Sequence, residues 1–247
     1  MFEGWKKAWS GDNISFEYHF WRAQFYDIAG IELSKVINGD IKAYRDIGIH
    51  GIIEDGSQRS FFPTGLAFYT YARTLYDTSL SFEEIAEDYM SFAFGEDWKD
   101  FYNYLSELGD AFSHRYLSGD MNRGTGRSEY YAPEMVASLK KVREITERGR
   151  ELIRAHYNSD FRVRTVSVRL LEFHALYADM LADMLIAKAS GDDEVAVELM
   201  EKMKAECGKY ELMFERWYDH GLYFFFIQLL AKTKTEISDR AALGTEN

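Results

Sequence analysis

Residues 51–95 read GIIEDGSQRSFFPTGLAFYTYARTLYDTSLSFEEIAEDYMSFAFG. A short apolar run that closes on Glu54-Asp55-Gly56 is followed by a polar loop and then by two segments of helical character. An apolar run stopped by an acidic residue and glycine reads as a strand, placed at residues 49–54. Pro63 is expected to open the first helix at a first-turn position, where a missing N–H is no loss, and the helix to run to about Tyr76. Ser81 and Glu84 have the Ser-x-x-Glu spacing of a capping box, and Gly95 is the expected left-handed stop of the helix they begin.

Upstream, Ile14, Phe16, Tyr18 and Phe20 alternate with Ser15, Glu17 and His19, the period of two that marks a strand with one apolar and one polar face. In a parallel barrel the apolar face would pack on helices, and Glu17 and His19 would point to the axis. Between the two strands, residues 28–47 place Ile31, Val36, Ile37, Ile41, Tyr44 and Ile47 near helical spacing and then meet Gly48. Strand, helix, strand is a parallel crossover unit, almost always right-handed.

Downstream the pattern is helical throughout. Asp97 is expected to cap a helix from Trp98 to about Leu117, weakened a little by Gly109. Residues 118–131, SGDMNRGTGRSEYY, form the longest loop, and Pro133 starts a helix carrying Met135, Leu139, Val142, Ile145, Leu152 and Ile153. Residues 158–160 break it. The longest helix is expected over 161–190, stopped by Gly191, and Asp192 caps the next, through about Tyr218. Gly221 is expected to separate that helix from a last one, which frays near Ala241. The run Leu222–Leu230, LYFFFIQLL, is apolar nearly all round, so it has to be buried in the core or covered by a partner.

Three pieces of this chain, SQRSFFPTGL at 57–66, AFYTYARTLYDTSLSFEEIAEDY ending at Tyr89, and FEYHFW at 16–21, carry a resemblance to the C-terminal half of the DUF4838 family. These are bacterial proteins that look like α-glucuronidases and related glycoside hydrolases. The resemblance covers roughly the first 120 residues well and the remainder in helical character only. It implies that the two strands are the last two of a (β/α)₈ barrel and that the later helices are the helical domain that follows. The expected fold is therefore mainly α with a short N-terminal parallel βαβ unit. Residues 1–77 are the closing segment of a partial barrel and residues 78–247 a C-terminal helical domain. A complete barrel takes about 250 residues and eight strands, so two strands cannot close one. The chain is accordingly expected to be part of a larger protein or a truncated gene product.

Composition narrows the function classes. The chain has 247 residues, 47% of them hydrophobic, ample for a core. Its 41 acidic residues against 29 basic ones give a net charge of −12, which repels phosphate backbones and anionic lipid and argues against nucleic acid. Cys207 is the only cysteine, so internal disulfides and thiolate clusters are excluded. No run reaches the ~20 apolar residues that span a bilayer, so no membrane partner is expected. Neither a dinucleotide fingerprint nor a phosphate loop occurs, and no cofactor or metal is expected.

Barrel active sites lie at the C-terminal ends of strands. The candidates there are His19, Trp21 and Arg22 after the first strand and Glu54, Asp55, Gln58 and Arg59 after the second. Carboxylates and amides bond sugar hydroxyls, an aromatic ring stacks on a pyranose face, and arginine pairs with a uronate. If the family resemblance holds, His19, Trp21, Glu54, Asp55, Gln58 and Arg59 are expected to bind a sugar or uronic acid. The competing reading pairs Glu54 with Arg59 in a loop, makes His19 a bonded rim residue and packs Trp21 beneath a helix. Glu17 and Glu54 could in principle form a hydrolytic carboxyl pair, although nothing in the sequence sets their separation, and the catalytic carboxylates are expected outside this chain. Asp110 with His114 and Asp179 with Asp183 sit four apart, but lack the Glu-x-x-His or H-E-x-x-H patterns and read as solvated or ion-paired. Arg115, Arg123 and Arg127 bracket the long loop and could hold an anion. A second function class stays open: a non-catalytic helical binding or assembly module, whose open strand edges associate with itself or with an upstream barrel segment.

Overall fold

The structure, a computed structural model, describes residues 2–56 and 59–232. It is mostly helical, with one small two-stranded parallel sheet. A short helix α1 (Phe2–Ala8) leads to β1 (Ile14–Glu17). The alternation up to Phe20 predicts a longer strand, but the backbone leaves the ladder after Glu17. It turns through a wide helical turn at His19–Ala23 into the single turn α2 (Gln24–Tyr26). Helix α3 (Ile31–Ile47) crosses over to β2 (Gly51–Glu54), and the strands pair in register Ile14 with Gly51 through Glu17 with Glu54.

Helix α4 (Leu66–Tyr76) begins three residues after Pro63. Pro63 follows a cis peptide bond from Phe62 and lies in the loop, so it does not open the helix as expected. Helix α5 (Phe82–Phe94) carries the capping box in full: the Ser81 hydroxyl accepts the Glu84 N–H at 3.2 Å, and the Glu84 carboxylate accepts the Ser81 N–H at 2.8 Å. Gly95 stops it at φ 87° and ψ −151°, a glycine conformation outside the expected left-handed helical region. Helix α6 (Trp98–Phe112) ends earlier than the pattern predicts, because Ser113 adopts φ 57° and restarts the chain in the short α7 (His114–Leu117). Asp97 makes no cap bond, and its carboxylate bonds His156 Nε2 at 2.9 Å instead.

Past a 3₁₀ turn at Pro133–Met135 come α8 (Val136–Leu139) and α9 (Val142–Ala155), where one continuous helix was expected. Helix α10 (Arg162–Ser190) is 29 residues long, roughly 43 Å at 1.5 Å per residue. Gly191 closes it in the left-handed conformation, and Asp192 caps α11 (Asp193–Gly208) by accepting the Val195 N–H. That helix stops well short of Tyr218 and is followed by the single turn α12 (Glu211–Phe214). Helix α13 (His220–Ala231) starts at Asp219, whose side chain accepts the Leu222 N–H, so Gly221 lies within the helix and not at its boundary. The expected fraying near Ala241 lies outside the described residues.

Helix α10 is the axis of the core. It packs against α11, α9, α5, α8 and α13, which is why Phe173, Ala175, Tyr177, Leu181 and Leu185, spread over more than half of its circumference, are all buried. The α6–α9 crossing is close enough to require glycine: a Cβ on Gly149 would meet the Tyr104 ring at 2.2 Å. LYFFFIQLL is core, with Tyr223, Phe224, Phe226, Ile227 and Leu230 buried and Phe225 facing out. A smaller cluster of Phe20, Leu33, Ile37, Ile41 and Ala67 joins the sheet to α3 and α4, with Ile52 and Tyr71 against it.

One residue ties the loop after β2 to the helical body. Phe62 is enclosed by Phe173, His174, Tyr177, Tyr218 and Tyr223, with ring centroids 5.1–5.4 Å away. Its carbonyl accepts the Tyr223 hydroxyl at 2.9 Å. Phe62→Ala is expected to lower the unfolding free energy by about 3–5 kcal/mol, the usual range for deleting a buried aromatic ring. Denaturant unfolding of the two proteins measures it, and a loss below about 1 kcal/mol would mean that the cage refills around the cavity.

Candidate functional site

Parallel pairing puts Ser15, Glu17, Ile52 and Glu54 on one face of the sheet and Ile14, Phe16 and Ile53 on the other. The expected orientation is reversed. The face that carries the carboxylates is the one turned to α3, and the apolar face is open: Ile14 is 65% exposed, Phe16 53%, Tyr18 52% and Ile53 48%. The Phe16 and Tyr18 rings lie 5.2 Å apart on it.

On the covered face the polar groups meet around His19, which is only 7% exposed. His19 Nδ1 bonds Glu54 Oε2 at 2.8 Å, and Nε2 bonds Asp40 Oδ2, on α3, at 3.1 Å. Two carboxylate partners favour the form in which both ring nitrogens donate, the imidazolium. Burial by itself lowers its pKa, but the hydrogen bonds and charges of Glu54 and Asp40 outweigh that and raise it above the ordinary 6.5. Ser15 donates to the Glu17 carboxylate, which also takes the Tyr44 hydroxyl. The phenols of Tyr44 and Tyr71 are pushed up, first by burial and then by the neighbouring acids. Glu54 Oε1 is buried with no partner among the described residues.

The five expected sugar-binding residues that the structure describes are dispersed. His19 and Glu54 meet, but behind the sheet. Trp21 packs edge-on against Phe226 of α13, with centroids 5.6 Å apart. Arg59 reaches Glu211 at 3.1 Å, Asp219 at 3.0 Å and the Glu215 carbonyl at 3.1 Å, so it bolts the loop to the α12–α13 region rather than pairing with Glu54. Asp55 is exposed, and its N–H donates to the Glu17 carbonyl at 2.9 Å as the ladder ends. Gln58 lies outside the described residues, and Arg22 is exposed. Asp40, Tyr44 and Tyr71 were missed as site residues. The one available signal was that Asp40 and Tyr44 are four apart on a single helix face.

Several of the other charged candidates are engaged in pairs. Asp179 accepts Arg150 and the Thr146 hydroxyl, each at 2.6 Å, and Asp183 accepts Arg143 at 2.5 Å. Arg123 pairs with Asp120 and Arg127 with Glu134, so the arginines around the long loop do not converge on an anion. Asp110, His114 and Arg115 line a cleft of about 210 Å³ with Asp27, whose carboxylate caps α3 by accepting the Ala29 and Leu33 N–H groups. Among the described residues no three His, Cys, Asp or Glu side chains are placed to hold a metal. Cys207 is buried, and burial pushes its thiol up to about 12, so it is no nucleophile. No described helix is long and apolar enough to cross a membrane. Comparison with family models, with curated proteins and with solved structures found no match to this chain.

Two histidines respond to pH in opposite senses. His19 is held above its unfolded value of 6.5, so its stabilising contribution is complete below 6.5 and is lost as pH rises through the folded pKa. His174, wholly buried beside Phe62, is pushed down to about 4 by burial, so it destabilises the fold as pH falls from 6.5 toward 4. Relative to the parent, His19→Gln is expected to flatten the alkaline limb of a stability–pH curve and His174→Phe the acid limb. Urea unfolding across pH 4–9 checks this, and a His19→Gln curve parallel to the parent above pH 6.5 would contradict the imidazolium assignment.

Proposed function

We propose that this chain is an assembly module whose parallel sheet is completed by further strands, and that the completed sheet is a glycoside-hydrolase-like barrel of the DUF4838 type followed by the helical domain. The observation that carries this reading is the open sheet face. Parallel sheets are ordinarily covered on both faces, yet here α3 covers one and Ile14, Phe16, Tyr18 and Ile53 stand in solvent on the other. Each strand also has an outer edge with no partner among the described residues, and unpaired N–H and C=O groups template further pairing. Additional parallel strands would satisfy the edges and enclose the apolar face together.

A carbohydrate role within such a barrel is supported by Asp55 and Tyr18, which sit at the C-terminal ends of the strands and are both exposed. A carboxylate and an aromatic ring at that position suit a sugar hydroxyl and a pyranose face. His19, Glu54 and Arg59 would act from behind, fixing the ends of the strands, and the hydrolytic acids would come from the added strands.

The isolated chain is expected to self-associate through the open face. Multi-angle light scattering should show a mass that rises with concentration, and Phe16→Ser with Ile53→Ser should return it to a monomer. A parent protein that stays monomeric and matches the double variant would refute the assembly reading. In a form with the sheet completed, calorimetric titration with glucuronate or xylo-oligosaccharides should show binding that Asp55→Ala weakens about tenfold. Unchanged affinity would remove the sugar role.

A further inference from the structure

A cleft of about 330 Å³ opens where the start of α4, α5 and α10 meet Trp217, and no residue of the open sheet face lines it. Six rings form much of its wall: Phe61, Phe68, Tyr69, Tyr89, Phe94 and Trp217. That volume and an aromatic lining are typical of small-molecule sites, at the smaller end of their range.

The polar inventory limits the ligand. Thr64 and Ser167 also line the cleft, but the Thr64 oxygen accepts the Leu66 N–H, and the Ser167 hydroxyl donates to the Val163 carbonyl at 3.0 Å. The charges nearest the lining cancel: Arg73 donates to both Asp88 and the Tyr69 hydroxyl, at 2.9 and 3.0 Å, and that hydroxyl donates to Asp88 at 2.5 Å. Tyr89 stands as Thr64 does: its oxygen accepts the Gly65 N–H at 2.7 Å, and each of the two hydroxyls keeps its own proton to donate. A lining of rings, paired charges and two hydroxyl donors complements an uncharged molecule that carries an acceptor atom. A sugar, with hydroxyls on every side, would lose hydrogen bonds here that these walls do not replace.

We propose that this cleft binds a neutral, ring-bearing apolar molecule, packed against Phe61, Phe68 and Trp217 and accepting a hydrogen bond from the Tyr89 hydroxyl. The site is separate from the sheet face, so it stands whether or not the chain assembles with further strands.

Fluorescence titration of the whole chain with 6-propionyl-2-(dimethylamino)naphthalene, a neutral fused two-ring probe with a ketone acceptor, tests it. Saturable enhancement is expected, accompanied by quenching of tryptophan emission. Ser167→Phe and, independently, Ala72→Phe place a ring in the cleft from exposed or half-buried positions. Each should weaken the probe about tenfold while leaving the circular dichroism and melting temperature at the parent values. Phe16→Ser with Ile53→Ser should leave the saturable site intact. A titration without saturation, a signal that both cleft variants keep, or one lost only in the sheet variant would overturn the proposal. The last outcome would assign probe binding to the sheet face, and either of the first two would leave the cleft without the proposed ligand.

Discussion

The seat of Phe62 is the contact on which the arrangement of the two parts depends. The sheet contributes little to the main core, and its strands are only four residues each. What holds the segment after β2 to the helical body is a ring inside a cage of five others, its backbone carbonyl bonded by Tyr223 from a helix some 160 positions later in sequence. Arg59 and Trp21 reinforce the same junction through Asp219 and Phe226. Caged aromatic contacts of this kind combine a large buried area with fixed ring geometry, so they set orientation as well as stability.

The covered face of the sheet shows how a buried charge is accommodated. An imidazolium in a low-dielectric setting is unfavourable unless it is paired and hydrogen-bonded, and His19 is both, between a strand carboxylate and a helix carboxylate. The clasp ties β2 to α3 at the point where the first strand leaves the ladder. With the acids turned inward to this clasp, the alternation of the strand has to present its large apolar side chains to the other side. The open apolar face and the buried polar cluster are thus two results of one register.

Much of the local structure could be read from residue types. The Ser81–Glu84 box, the Asp192 cap and the Gly191 stop rest on interactions within a few residues, and all occur, as does the parallel crossover that the order strand, helix, strand implies. Boundaries failed where a distant group intervened. Asp97 had the right type for a cap, but His156 took its carboxylate. Pro63 had the right type for a first turn, but its neighbour Phe62 was drawn into the aromatic cage. The candidate site fared similarly: chain position brought His19 and Glu54 forward, whereas Asp40, Tyr44 and the partners of Arg59 lie far from them in sequence.

By itself the sequence determined that the chain is mostly helical with two strands flanking a helix, because periodicity, caps and glycine stops act over a single turn or pleat, and that order of elements implies a parallel pair. It also determined that one strand face is apolar and the other polar. Which face would be covered was decided only by tertiary structure, since an alternating pattern is symmetric until a helix packs on one side. That choice rested on the pairing of His19 with Glu54 and Asp40 across three elements, an interaction between residues 21 and 35 positions apart.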